Sequence, residues 1–321
     1  MSTLITSSEG FSKGRVLLPP AEIDLASTLG CGQAFRWRPL DEDTRSSLPT
    51  EIQRELPGHD GAWIGVLSER VTALWRDSEG LSCLMAPGPF DAPLLERYLD
   101  TGLCLQDVRQ EVRIDEQISA ALDSYPGLRI LQQDPWECLV SFILSQWSNV
   151  PRISGTMEAL SRRCGSTIFP GWFAFPTPSR LASLSEADLR SMGLGYRAPY
   201  IRSAALKCAD QGIEWLHELR HMDYRAARDQ VVLPIRPGRS SEKVQGVGPK
   251  VADCVLLFSL GHYNAFPIDL HVRRAMERWY GGDTHFTTAY DSIASFGRQR
   301  FGRYAGYAQQ YLFHRQRVDK G

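Results

Sequence analysis

The pattern of apolar residues changes about a third of the way along this 321-residue chain, and that change limits the folds it can adopt. Up to residue 112, short stretches rich in aromatic and β-branched residues, such as 62–75, are separated by turn residues such as 77–80. This spacing is typical of strands. Helix signals dominate from there on. We therefore predict an α+β protein, with a small mixed or antiparallel sheet in an N-terminal α/β domain over 1–112 and a mainly α-helical domain over 113–321.

The strongest helix signal begins at Asp134, which can cap a helix that has proline at its first position. Residues 138–144 are almost entirely apolar, which predicts a helix that is buried nearly all round. Residues 197–210 predict a further helix, ended by Gly212. The polar segment 41–60 contains turn residues and no clear periodicity, so we expect a long surface loop there.

The composition excludes several classes of protein. Hydrophobic residues make up 43% and charged residues 23%, as in globular proteins and unlike disordered chains. No apolar stretch reaches the roughly 18 residues of a membrane helix, and the first residues lack a secretion signal. We therefore expect no membrane association and a reducing compartment: cytoplasm or nucleoid in a bacterium, nucleus in a eukaryote. Seven scattered cysteines, an odd number, predict buried thiols rather than disulfides.

The charge is balanced overall but uneven along the chain. A net charge of −1 argues against a surface that binds polyanions over its whole extent. Residues 296–318, however, contain five arginines and no acidic residue. Two interpretations stay open for this run: a basic face for nucleic acid, or a solvated helix end.

The segment with the clearest chemical pattern reads Val-Gln-Gly-Val-Gly-Pro-Lys over residues 244–250. Gly246 and Gly248 permit a tight turn with an exposed backbone, and the proline suits the first position of a helix. Free amides at such a helix start can bind a DNA phosphate. A plain loop-to-helix junction would show the same pattern.

Lys250 falls in the first turn of that helix, where the positive end of the helix dipole disfavours an ammonium group. The neutral amine, which is a nucleophile, is favoured by the same field. Asp269 follows a short Pro-Ile turn and opens the next predicted helix. A carboxylate there can stabilise positive charge on a sugar whose glycosidic bond is breaking, or can serve only as a helix cap.

These two segments, residues 245–250 and 267–269, resemble the hairpin and the aspartate segment of the helix-hairpin-helix (HhH-GPD) DNA glycosylases. Six further segments resemble, in the same order, the 8-oxoguanine DNA glycosylase/lyases of that superfamily: residues 32–37, 134–142, 152–155, 193–197, 251–254 and 304–309. The resemblance extends from about residue 18 to 313. It implies a repair enzyme that acts on double-stranded DNA containing 8-oxoguanine opposite cytosine.

The resemblance also implies roles for the matching residues. Lys250 would attack C1′ of the flipped nucleotide and form a Schiff base, and Asp269 would stabilise the developing oxocarbenium ion. Gly32 would offer its carbonyl to the N7 hydrogen that 8-oxoguanine carries and guanine lacks. Three residues that could otherwise be ordinary core residues would sandwich the base or bind its edge: Cys254, Phe313 and Gln309.

Further positions are implied to contact DNA. Tyr196 would wedge into the base stack, while Arg152 and Arg197 would read the estranged cytosine. Phosphate contacts would come from the hairpin and from the helix after it, at Gly246, Gly248, Val251 and His271. Backbone carbonyls of the hairpin would hold a structural cation, at Glu242, Val244 and Val247. The resemblance implies no other cofactor.

Two departures from the family pattern affect these expectations. The family has an asparagine that fills the gap left by the flipped base, and this chain has Trp147 there. An indole stacks but lacks the paired donor and acceptor of an amide, so opposite-base selectivity is in doubt unless Asn149 compensates. An insertion over 235–243 adds either phosphate contacts or only a longer surface loop.

Rival functions within the superfamily are disfavoured. Glycosylases with an iron-sulfur cluster need four cysteines toward the C-terminus, and after Cys208 only Cys254 remains, so we expect no cluster. Enzymes for alkylated bases usually lack the hairpin lysine. A protein that only binds DNA structures would not need both Lys250 and Asp269. We expect the enzyme to act as a monomer.

Overall fold

The computed structural model describes residues 2–8, 10–58, 61–232, 246–282 and 289–318. A six-stranded sheet forms most of the N-terminal part, and every neighbouring pair in it is antiparallel. Its strands are β1 Ser2–Ser8, β2 Phe11–Val16, β3 Trp37–Pro39, β4 Trp63–Leu67, β5 Arg70–Asp77 and β6 Gly80–Ala86, in the order β1-β2-β6-β5-β4-β3. The antiparallel alternative of the prediction is therefore the correct one. A separate two-stranded hairpin joins β7 Thr167–Phe169 and β8 Trp172–Phe173.

Helices account for most of the remaining described chain, which confirms the α+β class. They are α1 Leu25–Leu29, α2 Glu42–Ser46, α3 Thr50–Glu55, α4 Ala92–Tyr98, α5 Leu105–Val112, α6 Glu116–Ser124, α7 Pro135–Leu144, α8 Val150–Cys164, α9 Pro178–Ala182, α10 Glu186–Leu189, α11 Ala198–Gln211, α12 Glu214–Glu218, α13 Tyr224–Val232, α14 Pro249–Leu260, α15 Leu270–Tyr280, α16 Tyr290–Phe301 and α17 Ala305–Val318. Short 3-10 turns lie at Pro20–Glu22, Gly195–Arg197, Leu219–His221 and Gly302–Tyr304, and a π-helical turn at Arg190–Leu194.

The predicted helix starts follow the capping signals. Asp134 caps α7 by accepting a hydrogen bond of 2.9 Å from the amide of Glu137. The body of α7 is buried on all sides, as its apolar run predicts. α11 ends at Gly212, whose φ of +78° suits a residue without a side chain.

The prediction of a long surface loop over 41–60 is wrong, because helices α2 and α3 lie within this segment. Asp41 caps α2 by accepting from the amide of Thr44 at 2.8 Å. Leu48, Ile52 and Leu56 are buried and pack in one cluster with strands β4 and β5. A few apolar residues spaced among many polar ones are enough to hold two short helices against the sheet.

Three clusters of buried side chains form the core. Two of them cover the sheet, one with α1 and α4 and the other with α3. The third fills the helical part and centres on α7, α14 and α17. Leu105, Val108 and Val112 of α5 belong to this helical cluster although they precede the predicted boundary between residues 112 and 113.

The five arginines of 296–318 are all engaged with other parts of the protein. Arg300 and Arg303 form ion pairs with Asp115 and Glu111. Arg298, Arg315 and Arg317 donate to Tyr224 Oη and to the carbonyls of Gln117, Gly30 and Cys31. These guanidinium groups join α16 and α17 to preceding elements, and Arg300 and Arg303 are exposed to solvent, so both interpretations of the run stay open.

The seven cysteines are free thiols, and five of them are buried, as predicted. The two exceptions are Cys104, which is exposed at the start of α5, and Cys164, which is half-buried. Within the described ranges, no helix combines the length and apolar character needed to cross a membrane.

Candidate active site

The start of α14 is shaped by glycine. Gly246 has a φ of +79°, and a Cβ there would lie 2.3 Å from the ring of Tyr200. Its carbonyl accepts a hydrogen bond of 2.9 Å from Gln146 Nε2. Gly248 precedes Pro249 as the cap residue and has open space around its Cα, so the amides of the first turn are approachable by a ligand.

Part of the predicted hairpin lies outside the described residues. This applies to Glu242 and Val244 of the expected cation site and to the insertion over 235–243. Val247, the third residue of that expected site, is described and its side chain is buried.

Lys250 lies half-buried in the first turn of α14 and points toward the end of α7. Its Nζ donates to Ser145 Oγ at 2.9 Å and lies 5.1 Å from the centroid of the Phe142 ring. No acidic side chain of the described residues forms an ion pair with this amine. The nitrogen is therefore held by a neutral acceptor and remains able to react.

Cys254 follows Lys250 by one helical turn and connects it with Asp269. Burial raises the pKa of the Cys254 thiol to about 12, so the thiol is neutral at physiological pH. The charge of Lys250 lowers that pKa and the charge of Asp269 raises it. Both charged groups therefore act on the same thiol.

Asp269 is half-buried and is the cap of α15. Its Oδ1 accepts from the amide of Val272 at 2.8 Å. Pro267 and Ile268, which precede it, are buried, so the start of the helix is fixed in place. One carboxylate oxygen is used by the cap, and the other is available to a cationic centre near Lys250.

Gly32 and Phe313 lie beside each other at the other side of the site. A Cβ on Gly32, whose φ is +91°, would lie 4.0 Å from Phe313 and 3.0 Å from Arg317 Nη1. Arg317 donates to the carbonyls of Gly30 and Cys31 and so fixes the glycine turn. Gln309 lies one helical turn before Phe313, and its buried Oε1 has no hydrogen-bond partner in the described structure.

His271, in the first turn of α15, packs edge-on against the Phe313 ring with 5.6 Å between the ring centroids. Its Nδ1 is buried and has no hydrogen-bond partner among the described residues. The helix start that carries Asp269 is thus joined to α17 through His271 and Phe313.

The turn after α7 gathers three of the residues expected to contact DNA. Trp147 has a φ of +50° and an indole that is 93% exposed. Tyr196 is 44% exposed and donates from its hydroxyl to the carbonyl of Gln146 at 3.0 Å. Arg197 stacks on Tyr196 and donates to the carbonyls of Gln146 and Trp147 at 2.9 and 3.2 Å.

Arg197 is only 4% exposed, so its guanidinium must leave these carbonyls before it can read a base. Arg152 is exposed on the first turn of α8. Asn149 caps that helix by accepting from the Arg152 amide at 3.0 Å. Asn149 thus serves as a helix cap here, and its role opposite a flipped base stays a prediction.

Two family models match the chain. "HhH-GPD superfamily base excision DNA repair protein" matches residues 140–292, and "8-oxoguanine DNA glycosylase, N-terminal domain" matches residues 15–139. A probable N-glycosylase/DNA lyase of Methanothermobacter thermautotrophicus is 34% identical over 226 residues, which cover 63% of this chain and 68% of the relative. The chain belongs to the HhH-GPD superfamily of base excision DNA repair proteins.

Two further proteins are similar to this HhH-GPD protein along nearly its whole length. The N-glycosylase/DNA lyase OGG1 of Arabidopsis thaliana is 29% identical over 311 residues, which cover 92% of this chain and 78% of the relative. An 8-oxoguanine glycosylase/lyase of Clostridium acetobutylicum, solved with double-stranded DNA containing cytosine opposite 8-oxoG, superposes with a TM-score of 0.78 at 26% identity. That superposition covers 100% of this chain and 99% of the other.

Sequence analysis missed some residues of this HhH-GPD site. Ser145 and Phe142 contact Lys250, and the Gln146 side chain and carbonyl bind the hairpin and Arg197. The only signal in the sequence is the polar pair Ser145 and Gln146, which follows the apolar run of α7. The same pair is also typical of an ordinary helix end.

Proposed function

We propose that the protein excises 8-oxoguanine from duplex DNA, opposite cytosine, and then cleaves the strand at the resulting abasic site through Lys250. The observation that carries this proposal is the placement of the Lys250 amine, which has no acidic partner among the described residues. It lies at a helix start, next to Ser145 and the Phe142 ring, and it acts together with Asp269 on the thiol of Cys254. The protein is a bifunctional glycosylase and lyase, as its relatives are named.

Recognition depends on a flipped nucleotide that enters between Cys254 and Phe313. The Gly32 carbonyl accepts the N7 hydrogen of the oxidised base, and normal guanine is rejected because its N7 is an acceptor. The unpartnered amide oxygen of Gln309 gains a donor from the pairing edge of the base, which removes its cost of burial.

The chemistry uses one amine and one carboxylate. The lone pair of Lys250 Nζ attacks C1′, and the electrons of the C1′–N9 bond leave with the base, which takes up a proton. Asp269 stabilises the positive charge that develops on the sugar. The nitrogen then gives up one proton, the C1′–O4′ bond breaks as O4′ takes up a proton, and a protonated imine between Nζ and C1′ results.

Loss of the C2′ proton then breaks the bond from C3′ to its oxygen, and the 3′ phosphate leaves. Neither a metal ion nor a cluster takes part in this proposed sequence, and a cation at the hairpin would act only on DNA binding. Phosphates are bound by the amides of the first turn of α14 and by His271.

Borohydride tests the covalent step because it reduces the imine to a stable amine and links the protein to DNA. We expect a linked complex with duplex DNA that holds 8-oxoguanine opposite cytosine, and its complete loss in Lys250→Gln. Lys207→Gln is the matched control, since Lys207 lies over Trp215 on α11 and should leave the yield unchanged. Trapping by Lys250→Gln, or no trapping by the wild type, contradicts the mechanism.

The proposed activity includes a preference for cytosine as the base opposite the lesion. Preference for cytosine is measured by the same reaction with each of the four bases opposite the lesion, which also shows what Trp147 does.

We propose further that the enzyme acts as a monomer in the compartment that holds the DNA, the nucleoid of a bacterium or the nucleus of a eukaryote. Light scattering of the free protein gives its mass.

A further inference from the structure

Ser145 occupies the C-terminal cap of α7 and contacts Lys250 in the first turn of α14. Its Oγ donates its single hydrogen to the carbonyl of Phe142 at 2.7 Å. The same Oγ lies 2.9 Å from Lys250 Nζ. Because a hydroxyl has only one hydrogen, the contact with Lys250 is one in which serine accepts and the amine donates.

An amine held in this way has a restricted orientation. A lysine side chain has four rotatable carbons, and its head group turns freely unless an acceptor fixes one of its N–H bonds. On one side, the Phe142 ring lies 5.1 Å from Nζ. Cys254 lies one turn along α14 from Lys250. With one N–H directed to Ser145, the head group can turn only about that bond, so its orientations are restricted.

We propose that Ser145 is a positioning residue that directs the lone pair of Lys250 toward C1′ of the flipped nucleotide. This inference rests on the proposed function of Lys250 as the nucleophile. Ser145 does not touch the reacting carbon and acts only through the amine. Its effect is therefore expected in the rate of the covalent step and not in the affinity for DNA.

Ser141 provides a matched control one turn earlier on α7. Its Oγ donates to the carbonyl of Cys138 at 2.8 Å, the same local bond that Ser145 makes with Phe142. The side chain is only 2% exposed and is not in contact with Lys250. A general effect on α7 of removing a serine hydroxyl should therefore appear equally in Ser141→Ala and Ser145→Ala.

The test compares two measurements: the single-turnover rate of borohydride trapping, and the dissociation constant for duplex DNA with a non-cleavable abasic-site analogue. Misplacement of a nucleophile by about 1 Å costs about 100-fold in rate, so we expect Ser145→Ala to trap about 10- to 100-fold more slowly with unchanged affinity. Ser141→Ala should trap at the wild-type rate. Equal losses in the two variants, or a wild-type rate in Ser145→Ala, overturn the proposal.

A second pair keeps the test decisive if alanine disturbs the end of α7. Ser145→Thr and Ser145→Val have nearly the same shape, and only threonine retains the hydroxyl. Threonine should trap faster than valine, by about the factor that separates wild type from alanine, and equal rates contradict the inference. The proposed function fails in a different way, because then the wild type itself does not trap.

Discussion

At the scale of single residues, the backbone explains which site positions the sequence can reveal. Gly32 and Gly246 have positive φ angles, and a side chain at either would meet a close neighbour. Such positions favour one residue type, so they leave a clear mark on the sequence. Ser145 leaves none, because its importance comes from a contact with Lys250 across 105 residues of chain. A serine at a helix end is too common to indicate that contact.

Gly32 gives a prediction that separates base recognition from strand cleavage. In Gly32→Ala, the new Cβ would lie 3.0 Å from Arg317 Nη1 and project toward Phe313 on backbone that disfavours alanine. We expect excision of 8-oxoguanine to fall by about 100-fold, since a misplaced base costs about that factor. Cleavage of a preformed abasic duplex should change much less, because no base occupies the pocket.

The control for this variant is Gly171→Ala in the turn between β7 and β8. Gly171 also has a positive φ, of +84°, and open space around it. It carries the same backbone strain without a neighbour to displace. Equal losses of excision and cleavage in Gly32→Ala, or a matching loss of excision in Gly171→Ala, would show that strain and not the pocket causes the effect.

At the scale of elements, local capping signals locate helices well, and tertiary packing decides the weak cases. α7 begins where Asp134 and a proline predict it, because these residues satisfy the first amides whatever lies nearby. α3 has no side-chain cap and depends on Ile52 packing against the sheet. A packing partner that is distant in sequence cannot be read from a window of ten residues, so this helix was missed.

α17 provides a prediction about pH. His314 is buried on it against Tyr125, and burial, aided by the charge of Arg317, lowers the pKa of the imidazole from 6.5 to about 4. Between these two values the unfolded chain binds a proton that the folded protein does not, so stability falls as the pH falls. The free energy of unfolding of the wild type falls between pH 7 and pH 4.5, and we expect this fall to be smaller by about 2 kcal/mol in His314→Phe.

Urea unfolding at pH 7 and pH 4.5 measures the difference in free energy for each protein. His221→Gln is the control, since His221 is exposed and its replacement should leave the acid loss in place. A wild-type acid loss in His314→Phe would mean that other groups account for the pH dependence.

At the scale of the whole molecule, the sheet and the helical part are joined by groups that no local pattern announces. Arg129, in the segment between α6 and α7, is fully buried. It donates to the carbonyls of Glu22, Leu99 and Asp100 at 3.0, 2.6 and 2.7 Å and pairs with the Glu22 carboxylate at 3.1 Å. These partners lie 29 to 107 residues away, so the sequence shows only an arginine in an apolar segment.

This network predicts a large loss of stability in Arg129→Met. Methionine fills much of the same volume but leaves the Glu22 carboxylate without its cationic partner and several carbonyls without their donor. Removing one partner of a buried ion pair costs about 3–5 kcal/mol, and we expect a loss of that size in urea unfolding. Arg113→Met is the matched control, because Arg113 pairs with Asp123 at the surface and such pairs contribute about 0–1 kcal/mol. Losses of similar size in the two variants would mean that Arg129 does not join the two parts, and that packing between the sheet clusters and the helical cluster holds them together without it.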